Sequence, residues 1–385
     1  MRSVFYGLLV LLAAGCKERY ESPVKSATNG FLVMEGVINN GPGNTTIILS
    51  RSVPLDSTGK VYEQGAGVTL QGEDNSNISL VELSAGHYSA DNLNLNSAIK
   101  YRISIQTAAG KQYRSDFAPV LTNPPIDSIS WQRENGGVQM YINTHNPLNN
   151  TRYYQWEYDE TWEFHSKYYS FLKYQIQELP GQQIYSVVFS DSTHFSYDPN
   201  IHTCWQFNSS KKLLLGSTAK LSQDIVYLPI ASIPKNSWEL SVLYSIKVRQ
   251  YAWTKEGYNF LDIMRKNTEI IGSVFDAQPS QLNGNIHCVT DPAEQVIGFF
   301  NISPVREKRI FISINDVPGW NYDSGCFLVT IANNSDSIKH AGLTLLPSAV
   351  GLQAPGGAIV TFTASNPVCI DCTLSGTNVK PVYWP

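Results

Sequence analysis

Apolar residues recur at every second position along much of this chain, and this alternation limits it to a β-rich fold. The pattern is clear at residues 101–107, 138–142, 242–248 and 310–314. Successive side chains of a strand point to opposite faces of a sheet, so the alternation predicts one buried face and one solvated face. Short strands separated by turn residues predict a mainly β fold with packed antiparallel sheets.

The segment Asn123-Pro124-Pro125 is the best candidate for a domain boundary, because prolines of this kind end regular structure. Residues 30–122 contain short strands with no helix between them, which predicts an immunoglobulin-like β-sandwich. Residues 126–385 predict a larger, β-rich and sandwich-like C-terminal domain, with a sub-boundary near residue 275.

One amphipathic helix is predicted in the C-terminal domain, at about residues 255–268. Thr254 can cap its start, and Phe260, Leu261 and Met264 form an apolar stripe. We expect this stripe to pack against a sheet rather than to bind a partner.

The first residues predict export and lipid anchoring. A single arginine precedes a short apolar run, which ends at Gly15-Cys16 in a sequence that resembles the bacterial lipobox. We therefore predict a signal peptide at residues 1–15, cleaved to leave Cys16 carrying diacylglycerol and an N-acyl chain. Residues 16–29 are predicted to form a flexible tether. The alternative is an ordinary signal peptide with an incidental cysteine.

Five further cysteines are candidates for disulfides in an exported protein, namely Cys204, Cys288, Cys326, Cys369 and Cys372. Their odd number leaves at least one unpaired in a monomer, and the pairing stays open. The C-x-x-C spacing of Cys369 and Cys372 also occurs in redox and zinc sites. A structural bridge is favoured, because no second ligand pair of similar spacing accompanies them. We predict no metal, and no cofactor other than the lipid.

Charge and motifs argue against several functions. A formal net charge of -4 with only 16% charged residues argues against nucleic acid as a partner. The sequence lacks a nucleophile elbow, a zinc-protease helix, a phosphate loop and a dinucleotide fingerprint, which indicates a non-enzymatic protein without catalytic residues. A hydrolase is the alternative, since carboxylates such as Asp159 and Glu163 can meet from distant strands.

Residues 153–174 hold the densest aromatic cluster of the chain. Half of a regular strand faces away from the core, so some of these rings are expected at a surface that binds a ligand or a partner. The candidate binding surface consists of Tyr154, Trp156, Tyr158, Trp162, Tyr168 and Tyr169. The alternative is that the rings belong to the core and to cross-strand pairs.

Several segments together resemble one family. They are Tyr244-Ser245-Ile246-Lys247-Val248-Arg249-Gln250-Tyr251, Gln278-Pro279-Ser280-Gln281-Leu282, Val296-Ile297-Gly298-Phe299-Phe300, Leu32-Val33-Met34-Glu35-Gly36 and Pro381-Val382-Tyr383-Trp384. They resemble the Bacteroidota outer-membrane lipoproteins catalogued as domain of unknown function 4249. The resemblance implies an outer-membrane lipoprotein without an established activity, of a kind often found with TonB-dependent transporters. Glu18 and Glu21 are similar to the surface-export signal of Bacteroidota lipoproteins, which favours display at the cell surface.

The combined prediction is a non-enzymatic protein that is lipid-anchored in the outer membrane and displayed at the cell surface. It is expected to bind a glycan or a peptide and to work beside a TonB-dependent transporter in nutrient uptake. The alternatives are a structural or adhesive protein of the cell envelope and an extracellular glycan or peptide hydrolase.

Overall fold

The structure is a computed structural model that describes residues 30–53, 59–191, 197–269, 282–342 and 344–385. The predicted signal peptide at 1–15, the lipidated Cys16 and the tether at 16–29 lie outside the described residues, as does the predicted sub-boundary near residue 275. In the described part of the chain, no helix is long and apolar enough to cross a membrane.

The described residues form two helices and 24 strands. The helices are α1 (Lys255–Glu269) and α2 (Ser335–Ala341). The first strands in chain order are β1 (Leu32–Glu35), β2 (Asn44–Arg51), β3 (Val61–Tyr62), β4 (Gly67–Gly72), β5 (Asn77–Ser84), β6 (His87–Asp91), β7 (Lys100–Gln106), β8 (Gln112–Ser115), β9 (Ala118–Pro119), β10 (Ile126–Glu134), β11 (Gly137–Asn146) and β12 (Tyr153–His165). The others are β13 (Leu172–Leu179), β14 (Gln182–Phe189), β15 (Thr203–Ser209), β16 (Leu214–Ser217), β17 (Asp224–Ile233), β18 (Leu243–Ala252), β19 (Ile286–Cys288), β20 (Val296–Ile297), β21 (Arg306–Ser313), β22 (Val329–Ala332), β23 (Leu346–Gln353) and β24 (Ile359–Ser365).

The first body is an eleven-stranded sheet made of β1–β9, β19 and β20. Its order is β19-β8-β7-β4-β5-β6-β2-β1-β20, with β3 beside β2 and β9 beside β7. The two end strands, β19 and β20, follow each other in the chain, so the sheet bends into a near-barrel around a core that includes Tyr88, Tyr113 and Phe300. The predicted mainly β fold is confirmed, whereas the immunoglobulin-like detail is not.

The domain ranges predicted from the sequence need one correction. Residues 286–302 belong to the predicted C-terminal domain, yet β19 pairs with β8 and β20 pairs with β1. The chain therefore leaves the first body near Asn123 and returns at Ile286 to complete it. Strands that are far apart in the sequence leave no local pattern of their pairing. The predicted ranges 30–122 and 126–385 therefore did not include this return.

A buried charge cluster holds the returning segment in place. Glu294, between β19 and β20, accepts hydrogen bonds from the Tyr113 hydroxyl at 2.6 Å and from the Lys111 ammonium. Its carboxylate also lies 3.3 Å from the Arg51 guanidinium. Burial alone would raise the pKa of Glu294, but these hydrogen bonds and positive charges lower it below its ordinary value. The folded structure therefore favours the ionised form of the Glu294 carboxyl.

Two sheets packed face to face form the second body. One sheet has the order β10-β11-β17. The other, called the five-stranded sheet below, has the order β15-β12-β18-β21, with β16 also paired to β12. Alternate side chains of β11, β12 and β18 meet in a core that includes Met140, Trp156 and Ile246. This packing is that of a β-sandwich.

A smaller third body surrounds Leu172, Ile338 and Phe362. It consists of the β13–β14 hairpin, the sheet β22-β24-β23 and α2. The Tyr174 hydroxyl donates to the backbone oxygen of Leu345 at 2.8 Å, which fastens the hairpin to the segment before β23.

Two disulfides fasten the C-terminal segment to the rest of the molecule. One joins Cys204 on β15 to Cys372, and the other joins Cys326, before β22, to Cys369. Both cysteines of the C-x-x-C motif are therefore in bridges, each with a distant partner rather than with each other. Cys288, on β19, is buried and unpaired.

The helix predicted at about 255–268 is α1, which spans Lys255–Glu269. Its start is capped as expected, because the Thr254 hydroxyl accepts a hydrogen bond from the Gly257 amide at 3.1 Å. A Cβ atom on Gly257 would lie only 2.6 Å from the Trp253 ring and 3.0 Å from the Phe299 ring. Glycine at this position therefore lets the helix approach the two rings closely.

Candidate functional site

A cleft of about 1140 Å³ lies between the first body, the five-stranded sheet and α1. The first body contributes β1 and the loop that leads to β2, and the five-stranded sheet contributes the outward faces of β12 and β18 and the start of β21. A smaller cavity of about 190 Å³ adjoins it. The residues that line both cavities are Gln155, Glu157, Leu213 and Arg249.

One end of the cleft is a network of charged side chains on neighbouring strands. Arg249 on β18 donates to both carboxylate oxygens of Asp159 on β12, one of them at 3.2 Å from Nη2. The Nε atom of Arg249 lies 3.5 Å from Oε2 of Glu157, the residue directly opposite it on β12. The Tyr251 hydroxyl donates to the same Glu157 oxygen at 3.0 Å. Each side chain is thus held by at least one other.

The electrostatics of this end keep Arg249 and Asp159 ionised and the Tyr251 hydroxyl protonated. Burial alone would lower the pKa of Arg249, but the hydrogen bond and charge of Asp159 raise it above its ordinary value. Burial alone would raise the pKa of Asp159, but hydrogen bonds from Arg249 and Ser209 lower it. Burial and the charge of Glu157 raise the pKa of the Tyr251 hydroxyl. Because the Asp159 pKa is lowered, this carboxyl is unsuited to general acid catalysis, which needs a raised pKa.

The other end of the cleft is apolar. Trp253, Phe260 and Leu261 are buried there and pack with Met264 and Phe299. The Phe299 ring centroid lies 5.8 Å from that of Phe260 and 6.2 Å from that of Trp253. The indole N–H of Trp253 has no hydrogen-bond partner in the described residues. The cleft therefore joins an aromatic wall to a polar, charged one.

A buried amide network fixes the two bodies beside the cleft. The Asn123 amide nitrogen donates to the backbone oxygens of Gln250 at 2.8 Å and Pro304 at 2.7 Å. The Gln250 amide nitrogen donates to Asn123 Oδ1 at 3.1 Å and to the Pro124 oxygen at 2.9 Å. The Trp156 indole N–H donates to Gln250 Oε1 at 2.9 Å. The two segments that lead from the first body into the second, near 123 and 304, are therefore pinned to β18.

Four of the six residues predicted as a binding surface lie on the inner face of β12. Tyr154, Trp156 and Trp162 are buried in the core of the second body, and Tyr158 packs against that core. The interpretation of these four as an exposed platform is therefore wrong. The sheet β10-β11-β17 covers this face of β12. Aromatic rings that face this sheet remove more apolar surface from water than smaller side chains would.

The remaining two predicted residues do not line the cleft. The Tyr168 hydroxyl donates to the Cys326 backbone oxygen at 2.9 Å, which gives this residue a structural contact. Tyr169 is exposed and packs beside Tyr197, with ring centroids 4.4 Å apart.

Sequence reasoning did not predict the opposite face of β12 as part of a cavity, and considered only Asp159 of its residues, as a hydrolase carboxylate. Gln155, Glu157 and Asp159 alternate with the buried rings and point outward toward Arg249 and Tyr251 of β18. The signal that could have found them was the polar half of the same alternation. It was interpreted as a solvated face, because the first body and α1 that enclose it lie far away in the sequence.

The two carboxylates considered for a hydrolase are not brought together in one cavity. Asp159 lines the smaller cavity. Glu163 lies farther along β12, where it accepts a hydrogen bond from the Trp384 indole N–H at 2.7 Å. Hydrogen bonding and charge from His165 lower the pKa of Glu163 in spite of burial. In the described ranges, no three His, Cys, Asp or Glu side chains are grouped so that they could hold a metal ion.

A family model described as "Domain of unknown function (DUF4249)" matches residues 17–309. This chain belongs to the DUF4249 family. The match to DUF4249 contains every residue that lines the cleft, from Val33 to Lys308. No curated protein matches the chain.

Two solved structures show weak similarity to this DUF4249 chain. A Bacteroides uniformis protein described as a "putative carbohydrate binding protein" has 8% identity and a TM-score of 0.16, covering 58% of this chain and 90% of that one. Chitinase ChiA74 from Bacillus thuringiensis has 14% identity and a TM-score of 0.15, covering 52% of this chain and 29% of that one. TM-scores of this size support no conclusion about fold or function.

Proposed function

We propose that this DUF4249 protein is a non-enzymatic lipoprotein, anchored in the outer membrane through acylated Cys16 and displayed at the cell surface. It binds a glycan or a peptide in the cleft, as the accessory partner of a TonB-dependent transporter in nutrient uptake. The observation that carries the binding role is the cleft itself, whose volume of about 1140 Å³ is large for a ligand pocket.

Two features of the cleft and of the smaller cavity beside it support binding rather than catalysis. The amide network around Gln250 fixes its walls in advance, which reduces the entropy that a ligand must lose to bind. The Asp159 carboxylate is held by Arg249 with a lowered pKa, so it is neither a free base near neutral pH nor a proton donor.

The lipid supplies the location in this proposal. Each buried methylene contributes about 0.8 kcal/mol, so the two or more chains expected on Cys16 hold the protein durably on a membrane. Mass spectrometry of the mature protein tests this point. We expect an acylated Cys16 at the N-terminus, and release of the Cys16→Ser variant from membranes. A bare Cys16, or residues 1–15 still attached, would contradict the proposal.

The partnership is tested by purifying the tagged full-length protein from native membranes. A TonB-dependent transporter is expected in the purified complex, and deletion of the protein is expected to reduce nutrient uptake. Recovery as a free monomer would count against the partnership. Attachment or envelope defects with normal uptake would favour the structural alternative, and turnover of a glycan or peptide that falls in Asp159→Asn would favour the hydrolase.

A further inference from the structure

We infer that Arg306 and Lys308 form a subsite of the cleft that holds a carboxylate of the ligand, so that the ligand is acidic. This inference rests on the proposed function of the cleft as a binding site and names the chemical class of its ligand. A carboxylate is the chemistry that a uronic-acid glycan and an acidic peptide share, and the experiment below separates these two sources.

The two cations, called the cationic pair below, lie two residues apart on β21 and both line the larger cavity. Alternate residues of a strand point to the same face of the sheet with Cα atoms about 7 Å apart, so one anionic group can contact both side chains. Both side chains are partly buried, which weakens the screening of their charges by salt. The Asn39 side chain accepts from the Val305 amide at 2.9 Å, which holds the start of β21 beside the loop before β2.

The contacts of the cationic pair fix its position without neutralising its charge. The Nε atom of Arg306 donates to the Asn123 backbone oxygen at 3.0 Å, and the Lys308 ammonium donates to the Asp127 backbone oxygen at 2.5 Å. Backbone oxygens carry no net charge. The carboxylate of Asp127 bonds to His145 at 2.7 Å instead. In the described residues neither cation of the pair forms an ion pair with a carboxylate.

The cationic pair keeps N–H groups with which to bind a ligand. An arginine has five N–H donors and a lysine has three. In the described part of the chain, neither terminal nitrogen of the Arg306 guanidinium has a hydrogen-bond partner. Two nitrogens of a guanidinium can bind both oxygens of one carboxylate, with hydrogen bonds about twice as strong as those to a neutral acceptor. A neutral hydroxyl would leave both positive charges uncompensated, so a carboxylate fits the pair better.

The acids that line the two cavities do not compensate the cationic pair, because each already has a basic partner. These ion pairs are Glu35–Lys60, Glu307–Lys247, Glu157–Arg249 and Asp159–Arg249. Two of these bases, at 60 and 247, lie outside the linings, and two further lysines, at 211 and 212, line the smaller cavity. The acids of the linings are therefore outnumbered by the bases around them, although the whole chain has a formal net charge of -4. The excess of positive charge is a local property of the cleft.

The test uses the full-length protein in a non-ionic detergent, titrated calorimetrically with matched probes. The acidic probes are hexamers of galacturonate, mannuronate and glutamate. The uncharged probes are the methyl esters of the two uronate hexamers, and hexaglutamine. Each acidic probe therefore has a counterpart of similar size that lacks the charge.

The double variant Arg306→Gln with Lys308→Gln removes the charges of the cationic pair. The matched control is Lys100→Gln with Lys173→Gln, which changes the net charge equally at two exposed strand residues that line neither cavity. Arg306→Lys with Lys308→Arg keeps both charges and is expected to keep the binding. Circular dichroism verifies that each variant folds, and Lys308→Gln alone takes the place of the first double variant if that variant does not fold.

We expect at least one acidic probe to bind, about tenfold more weakly or worse without the charges of the cationic pair and within about twofold of wild type in the matched control. Its uncharged counterpart should bind wild type at least about tenfold more weakly, because it cannot form charge-assisted hydrogen bonds. Rising salt should weaken binding of the acidic probe. Binding of a uronate hexamer identifies a glycan as the source of the carboxylate, and binding of hexaglutamate identifies a peptide.

A cavity variant separates the inference from the proposed binding role. Leu213→Trp narrows both cavities, and Leu221→Trp is its control, because Leu221 is exposed and lines neither cavity. Uncharged probes that bind as tightly as acidic ones, or acidic binding that survives loss of the cationic pair, would overturn the inference. The binding role would still stand if Leu213→Trp weakened that binding. If no probe binds, or if binding ignores both Leu213→Trp and the loss of the cationic pair, the inference and the binding role fail together.

Discussion

The substitution Gln250→Leu tests whether the buried amide network holds the two bodies together. Gln250 is fully buried, and its side chain accepts from the Trp156 indole and donates to Asn123 Oδ1 and the Pro124 oxygen. Leucine has a similar volume, so the change removes hydrogen bonds while leaving little empty space. The Thr144 hydroxyl also contacts Gln250 but keeps its bond to the Pro125 oxygen at 2.8 Å.

The expected cost follows from the three polar atoms that lose their partner. A buried donor or acceptor left without a hydrogen bond costs about 1–3 kcal/mol. Since neighbouring effects are not additive, we take the lower end for each atom and expect a loss of about 3 kcal/mol in the free energy of unfolding. Single domains are stable by only about 5–15 kcal/mol, so the loss is large.

Urea unfolding with two probes measures this effect. All eight tryptophans lie at residue 131 or later, so their fluorescence reports the second body and the residues that follow it, whereas far-UV circular dichroism reports the whole chain. The control is Gln132→Leu, an exposed glutamine expected to change stability by less than about 0.5 kcal/mol. A loss in Gln250→Leu no larger than in this control would refute the account of the network.

Three further predictions concern covalent and titrating groups. Replacing Cys204 and Cys372 together by alanine removes a disulfide between residues that are 168 positions apart in the sequence. The free energy of unfolding, measured by urea denaturation, should fall by up to about 5 kcal/mol. Glu294→Gln should be less stable than wild type at pH 7, and the difference should vanish in acid, because a lowered carboxyl pKa stabilises only above that pKa. Burial, with the charge of His165, lowers the pKa of His202 from 6.5 to about 4, so wild-type stability should fall as pH drops from 7 to 5, and His202→Asn should flatten this slope.

β12 shows how far a pattern in one sequence can be interpreted. The alternation of aromatic and polar residues predicted its two faces correctly, but it did not say which face meets the core. Which face meets the core depends on the sheet β10-β11-β17, whose residues share a core with Trp156 and Trp162. The rings therefore belong to the core, whereas the outward Glu157 lines the cleft and the outward Asp159 lines the smaller cavity beside it.

Local features of the fold could be predicted from the sequence, whereas long-range features could not. The helix α1 was predictable within one residue, because its cap and its apolar stripe lie within fifteen consecutive residues. The return of β19 and β20 to the first body, and the partners of Cys369 and Cys372, depend on residues far away in the chain. No local preference encodes such contacts, so composition and periodicity could not find them.

The cleft belongs to the part of the chain that the family shares. Its lining runs from Val33 to Lys308, which lies within the matched residues 17–309, whereas the sheet β22-β24-β23 and both cysteines of the C-x-x-C motif lie beyond the match. The return of β19 and β20 to the first body brings Phe299 against α1, while the amide network around Gln250 holds the two bodies in register. A feature that needs all of these distant segments exists only in the complete fold, so a function common to the family is best sought in the cleft.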